Sequence, residues 1–155
     1  MCYNTIFGKS RIDFYKKLSA LGITVDYFPK EVQKGCMSCH NNQLIIGPEG
    51  EIYKCWNDFN NPKKIVGFIK DKRMSNPSLI NRYAYEATIY NQPECKECKV
   101  FPICTGGCSW LRYQNMYQGK NFDVCTYLKD KSILEECLFA KEKRTPFKVK
   151  AYLNV

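Results

Sequence analysis

The sequence predicts an α+β fold, a small β-hairpin with cysteine-rich loops and helices, preceded by a helix–strand unit of α/β type. Three observations predict it. Ten of the 155 residues are cysteines, most of them a few positions apart. Two β-prone runs flank Pro48-Glu49-Gly50, a strong turn signal. Several other segments space their apolar residues as a helix does.

Taken in order, Ser10 and Asp13 resemble a capping box, and Phe14, Tyr15, Leu18 and Leu21 make one apolar helical face. Gly22 ends that helix, and a strand is expected from Ile23 to Phe28, before Pro29. Gln43–Gly47 and Glu51–Cys55 read as the hairpin, with Gly50 where a positive φ is needed. Lys64–Lys70 gives a third short strand. Asn76 caps a helix with Pro77 at its first position and Ile80, Tyr83, Ala87 and Tyr90 on its buried side. Between Pro93 and Gly107 little regular structure is expected. Helices follow over Cys108–Tyr117 and over about 122–143, the latter with Leu134, Cys137 and Leu138 on one face and Pro146 as its stop. There is no internal repeat, low-complexity stretch or obvious linker.

Composition narrows the class. Hydrophobic residues make up 45% and aromatics 14%, which is the balance of a folded domain. No stretch has the roughly 20 apolar residues of a membrane span, and the start Met1-Cys2-Tyr3-Asn4 lacks the charged and apolar regions of a secretory signal. A cytoplasmic protein with no membrane partner is expected. The formal charge of +9 suggests a nucleic-acid ligand, but the lysines are scattered and form no basic run, so a solvated surface is the better reading. The charge is thus weak evidence for any partner: nucleic acid is not expected, and an acidic peptide segment stays open.

In a reducing compartment, clustered cysteines are read as metal ligands rather than disulfides. Cys36-x2-Cys39 and Cys55 form one group. Cys95-x2-Cys98-x5-Cys104-x3-Cys108, followed by Cys125, forms the other, leaving Cys2 and Cys137 over. Two residues between thiolates allow a tight turn that aims both sulfurs at one metal centre. Gly106 and Gly107 let backbone approach such a centre closely. Two four-cysteine zinc sites would match the ligand count, but the Cys-x5-Cys-x3-Cys continuation has no counterpart in a zinc ribbon. The spacing favours iron and leaves zinc as the rival.

The string Cys39-x10-Gly50-x4-Cys55, then Cys95-x2-Cys98-x5-Cys104-x3-Cys108, then Cys125 resembles the seven-cysteine signature of SPASM domains. These follow the radical S-adenosylmethionine barrel in peptide maturases and in anaerobic sulfatase-maturating enzymes. The resemblance implies two auxiliary [4Fe–4S] clusters, one on Cys36, Cys39, Cys55 and Cys108, the other on Cys95, Cys98, Cys104 and Cys125. Two such dianionic centres would lower the net charge by about four. It further implies a barrel remnant over residues 1–33, a twin-cluster domain over 34–143 and a tail over 144–155. In this reading the chain passes electrons and helps close the substrate site of a radical enzyme. Its partners are the barrel, in the same parent chain or a separate subunit, and a precursor peptide or protein.

Two departures qualify that picture. The Cys-x3-Cys-x2-Cys motif that would hold the radical-generating cluster is absent: after Cys104-x3-Cys108, position 111 is Leu. The chain alone is therefore not expected to be catalytic, and S-adenosylmethionine belongs to the missing barrel. Trp56 follows Cys55 where sulfatase maturases carry an acidic residue, which shifts the expectation toward maturases of ribosomally made peptides. The rival from another class is a zinc-stabilised module binding peptide or nucleic acid. A third reading is a degenerate scaffold that holds precursor peptide without redox work. Among other residues, His40 reads as surface or supporting a ligand loop, and Asp58 as turn chemistry rather than a general base. Tyr53 and Trp56 flank Cys55 as shields or packing. Cys137 reads as core, Cys2 as spectator, and Trp110, Tyr113 and Tyr117 as helix packing.

Overall fold

The computed structural model describes residues 5–23, 25, 35–104 and 106–142. Its sheet is small: β1 (Ile45–Ile46), β2 (Glu51–Tyr53) and β3 (Gly67–Phe68), antiparallel in the order β1-β2-β3. Ile45 faces Tyr53 and Glu51 faces Phe68. Gly50 closes the hairpin at φ +83°, a conformation that costs an L-residue and not glycine. The strands are shorter than the β-prone runs. Cys55 leaves the ladder into a 3-10 turn over Trp56–Asp58, and a second such turn over Pro62–Lys64 precedes β3.

Helix α1 spans Thr5–Ala20, α2 Pro77–Asn81, α3 Pro93–Lys96, α4 Ser109–Tyr117 and α5 Lys131–Glu142. With the sheet they make the expected α+β fold. The Asn76 side chain accepts the Leu79 N–H at 3.1 Å and Pro77 opens α2, as the sequence implied. A π turn over Arg82–Glu86 then continues that helix, with the Ala87 N–H bonded five residues back to Arg82.

Several expectations need correcting. Ser10 lies inside α1, which begins at Thr5, so it is not the start of that helix. The buried side of α1 is set by Ile12, packed on Ile133 and Cys137 of α5, while Phe14 is 57% and Leu21 77% exposed. Helix α5 starts at Lys131, not near 122. The Asp130 side chain accepts both the Ser132 N–H and its hydroxyl, a strong start signal, and residues 120–126 run without helix. Its buried residues are Ile133 and Cys137 rather than Leu134 and Leu138. Tyr90 is exposed, because the helix ends with the π turn at Glu86 and Tyr90 falls in a separate 3-10 turn over Ile89–Asn91. The strand expected at Ile23–Phe28, Pro146, Cys2 and the tail over 144–155 lie outside the described residues, apart from Ile23 and Val25. Helix α1 does end just before Gly22, where the Ile23 N–H reaches back to the Leu18 carbonyl at 3.1 Å.

The main core lies under β2, β3, α2 and α4. Ile52, Cys55, Val66, Leu79, Tyr83, Ala87 and Tyr113 form one buried cluster, with the Tyr83 and Tyr113 rings stacked 5.1 Å apart. A polar network runs through it. Asp58, 1% exposed, accepts the Tyr83 hydroxyl at 2.8 Å and the Trp110 indole N–H at 3.1 Å. Burial pushes its carboxyl above the usual range, opposed by the Tyr83 bond, the Lys64 charge and the Trp110 bond. Lys64 is buried, and its ammonium lies 3.5 Å from the centre of the Tyr113 ring. Asp58 is thus a structural acceptor with both oxygens engaged. D58A leaves two donors without their acceptor and the buried Lys64 ammonium without its nearby opposite charge, so it should cost about 3–5 kcal/mol in urea unfolding. D58N, which keeps one acceptor oxygen, should cost less.

Candidate metal centre

Short turns position the cysteines. A 3-10 turn over Met37–Cys39 joins Cys36 to Cys39, with the Cys39 N–H on the Cys36 carbonyl at 2.8 Å. Cys55 lies two residues past β2, at the start of its own 3-10 turn, and Cys108 occupies the N-cap of α4. Cys95 lies in α3 with its carbonyl taking the Cys98 N–H at 3.1 Å. Cys104 follows a 3-10 turn over Phe101–Ile103, and Cys125 sits in the extended run before α5.

These positions fall into two groups. Cys95, Cys98, Cys104 and Cys125 all line one cavity of about 60 Å³. Cys36, Cys55 and Cys108 line another, more open, of about 390 Å³, with Trp56 and Met37 at its edge. Cys39 does not line that cavity; it shares a third, of about 270 Å³, with Cys36. Cys108 therefore leaves its own sequence run and meets the first group. Cys137 lines none of these cavities and is buried between α1 and α5. Among the described residues no three His, Cys, Asp or Glu side chains gather closely enough to hold a single metal ion.

The surroundings supply donors and positive charge. Ser38 Oγ donates to Cys36 Sγ at 3.3 Å and also shares a short hydrogen bond with Ser109. The Gly106 N–H points at Cys104 Sγ at 3.3 Å, and Thr126 Oγ1 lies 3.6 Å from the same sulfur. Lys129 Nζ donates to Cys125 Sγ at 3.5 Å. Lys54 is 1% exposed; its ammonium donates to the carbonyls of His40, Asn41 and Gln43, and its charge reaches Cys39. Arg112, 4% exposed, donates to the carbonyls of Ala87 at 3.1 Å and Gly106 at 2.7 Å. His40 is half-buried beside the Cys36–Cys39 cavity, and Trp56 is 75% exposed, so Tyr53 is the buried one of the two aromatics beside Cys55.

The thiols differ accordingly. Burial raises Cys36, but the Ser109 and Ser38 hydrogen bonds outweigh it and hold the thiol below its ordinary value. Burial and the Cys36 charge push Cys39 up against Ser109 and Arg112. Burial takes Cys55 to about 12, with Asp58, Cys36 and Cys108 adding to it. Cys95 is raised by burial and by its three neighbours Cys104, Cys125 and Cys98, and lowered by Arg112. Each group is a set of thiols that feel one another's charge, which favours an added cation or loss of protons to a metal.

Sequence reading passed over Arg112, Lys54, Ser38 and Ser109. The available signal was Arg112 four residues after Cys108, on the same face of α4.

No family model matches the chain. It is similar to a cysteine-type anaerobic sulfatase-maturating enzyme of Clostridium novyi (strain NT), 26% identical over 108 residues, covering 67% of this chain and 28% of that protein. The chain thus spans little more than a quarter of its relative's length. Sulfatase maturation is one of the two enzyme classes whose cysteine signature the sequence resembles, and not the one that Trp56 favoured. No helix among the described residues is long and apolar enough to cross a membrane.

Two measurements follow from this geometry. Gly107 sits at φ +67°, and a Cβ there would run into the Val124 carbonyl, next to Cys125. Gly119 has a similar φ of +62° but open space around it. In urea unfolding G119A should cost about 1–2 kcal/mol for the backbone alone. G107A should add about 1–3 kcal/mol for the clash. For the thiols, mass-mapped alkylation of metal-free protein from pH 6.5 upward should label Cys36 first. Its lowered value makes thiolate at lower pH, whereas Cys55 stays protonated and unlabelled until strongly alkaline pH.

Proposed function

We propose that this chain holds two auxiliary [4Fe–4S] clusters within a radical S-adenosylmethionine maturase acting on a peptide or protein. The observation that carries the reading is the cavity where Cys95, Cys98, Cys104 and Cys125 meet, while Cys108 turns away to face Cys36 and Cys55. Cys36, Cys39, Cys55 and Cys108 would hold the first cluster and the other four the second. The similarity to a sulfatase-maturating enzyme supports a maturase role at a coarser level. Neither group closes to single-ion spacing among the described residues, so loading requires the loops to adjust or the sulfurs to surround something larger than one ion.

The chain's own residues suit that task. A cluster, when bound, accepts and passes single electrons. The Gly106 N–H at Cys104 and the Ser38 hydroxyl at Cys36 lower the charge density on ligand sulfurs, as such hydrogen bonds do in thiolate sites. Lys129 does so for Cys125. The barrel that would bind S-adenosylmethionine and substrate is the partner this reading requires, in the same parent protein or as a separate subunit.

Anaerobic purification with iron and sulfide analysis tests the proposal. About eight iron and eight sulfide per chain, with broad absorbance near 400 nm, are expected. C108A should lose about half the iron, with the remaining centre held by Cys95, Cys98, Cys104 and Cys125. Iron loss from that second group instead would overturn the partition. Two zinc ions and a colourless, air-stable protein would replace the cluster reading with the zinc-binding one.

A further inference from the structure

Arg112 is an anomaly for a buried residue. Its two terminal nitrogens bond the Ala87 and Gly106 carbonyls, which are neutral, and its Nε has no hydrogen-bond partner. Neither Lys16–Glu136 nor Lys131–Glu135 involves Arg112, and no carboxylate among the described residues pairs with its guanidinium. A buried charge without an opposite one is strongly unfavourable. Lys64, the comparable buried cation in the main core, has the Asp58 charge near it.

The anion for Arg112 lies on its two sides. Its side chain lines both the cavity holding Cys36 and Cys39 and the cavity holding Cys95, Cys98, Cys104 and Cys125. Its charge acts on Cys39 and on Cys95. The other nearby cations serve one side each: Lys54 acts on Cys39, and Lys129 bonds Cys125. Arg112 is also anchored, since the planar fork held by two carbonyls from different segments cannot swing toward either cavity alone.

We infer that Arg112 is a counter-charge shared by both cysteine groups, a positioning residue that sets the charge balance of the two centres together. This deepens the cluster reading and rests on it. Removing a positive charge near an iron–sulfur centre makes adding an electron harder, so the potential falls. A cation between two centres must act on both.

The test is a reductive titration of the anaerobically prepared full chain followed by electron paramagnetic resonance, with iron content measured on the same samples. The two signals are assigned from C108A and C95A. In R112Q both midpoint potentials should move negative, whereas in K129Q only that of the Cys95 group should move. R112Q shifting one centre or neither, with iron retained, overturns the inference and leaves the cluster reading standing. Should R112Q lose its iron, R112K decides. An ammonium keeping both centres near wild-type potentials supports a charge role, while iron loss like that of R112Q makes the carbonyl bonds structural and overturns it. Wild-type protein that takes up no iron removes the cluster reading, and this inference with it.

Discussion

The first turn of α4 is the joint on which the arrangement depends. Cys108 occupies its N-cap and faces Cys36 and Cys55. Ser109 bonds Ser38 in the turn that carries Cys36 and Cys39. Trp110 donates to Asp58, three residues after Cys55. Arg112 ties the backbone of Ala87 to that of Gly106. One helical turn therefore holds four separate segments, three of which carry or adjoin candidate ligands. The Asp58–Trp110 bond explains why a residue that could pass for a general base is not free to be one: it fixes the Cys55 turn against the Cys108 helix, with both oxygens spent on that task.

Charge gives the second organising fact. Among the buried residues described, Lys54, Lys64 and Arg112 are cations and Asp58 is a carboxylate. A core with that balance is unfavourable on its own account, because burying a charge without a partner costs more than most packing returns. The cysteine groups reverse the sum when they ionise, since their thiolates sit beside Lys54 and Arg112, while Lys64 has Asp58. Apart from Cys36, the thiols whose values move go upward, chiefly by burial. Protonated cysteines and unpaired cations are thus two halves of one imbalance, which a thiolate-bound metal centre removes by taking the protons off.

Legibility in the sequence followed the range of the forces involved. The hairpin at Gly50 and the cap at Asn76 are local, and both were readable because turn and cap chemistry act within four residues. The grouping of the cysteines came from resemblance rather than from any local rule, and Cys108 shows why: its own run gives no sign that it faces the other group. What failed were faces and boundaries set by tertiary contacts. The apolar stripe Phe14, Leu18 and Leu21 is real in the sequence, yet Ile12 is the residue that α5 buries. Tyr90 misled because the helix stops with the π turn at Glu86 and Tyr90 falls in a separate 3-10 turn. Apolar residues from Phe122 onward suggested helix, and Asp130, a strong cap, was passed over. Arg112 shows in the sequence only by its place four residues after Cys108, and its burial without a carboxylate is what sets it apart.

The second, smaller core bears on the site through chain continuity. Ile12, Ile133 and Cys137 are each 3% exposed or less, with Tyr127 packed against them. Burying two isoleucines stabilises the α1–α5 contact by roughly 1.5–3 kcal/mol apiece. The Lys16–Glu136 pair at 2.7 Å is about half exposed and adds about 0–1 kcal/mol. Apolar burial, not the ion pair, therefore holds α1 to α5. Five residues separate Cys125 from the first residue of α5, and Tyr127 lies between them in a 3-10 turn against that same core. The extended run carrying Cys125 is consequently held at both ends, by the Val124 carbonyl seated over Gly107 on one side and by Tyr127 on the other. Cys137, a cysteine with no part in either group, contributes to the cysteine site in this indirect way, by filling the core that anchors Cys125.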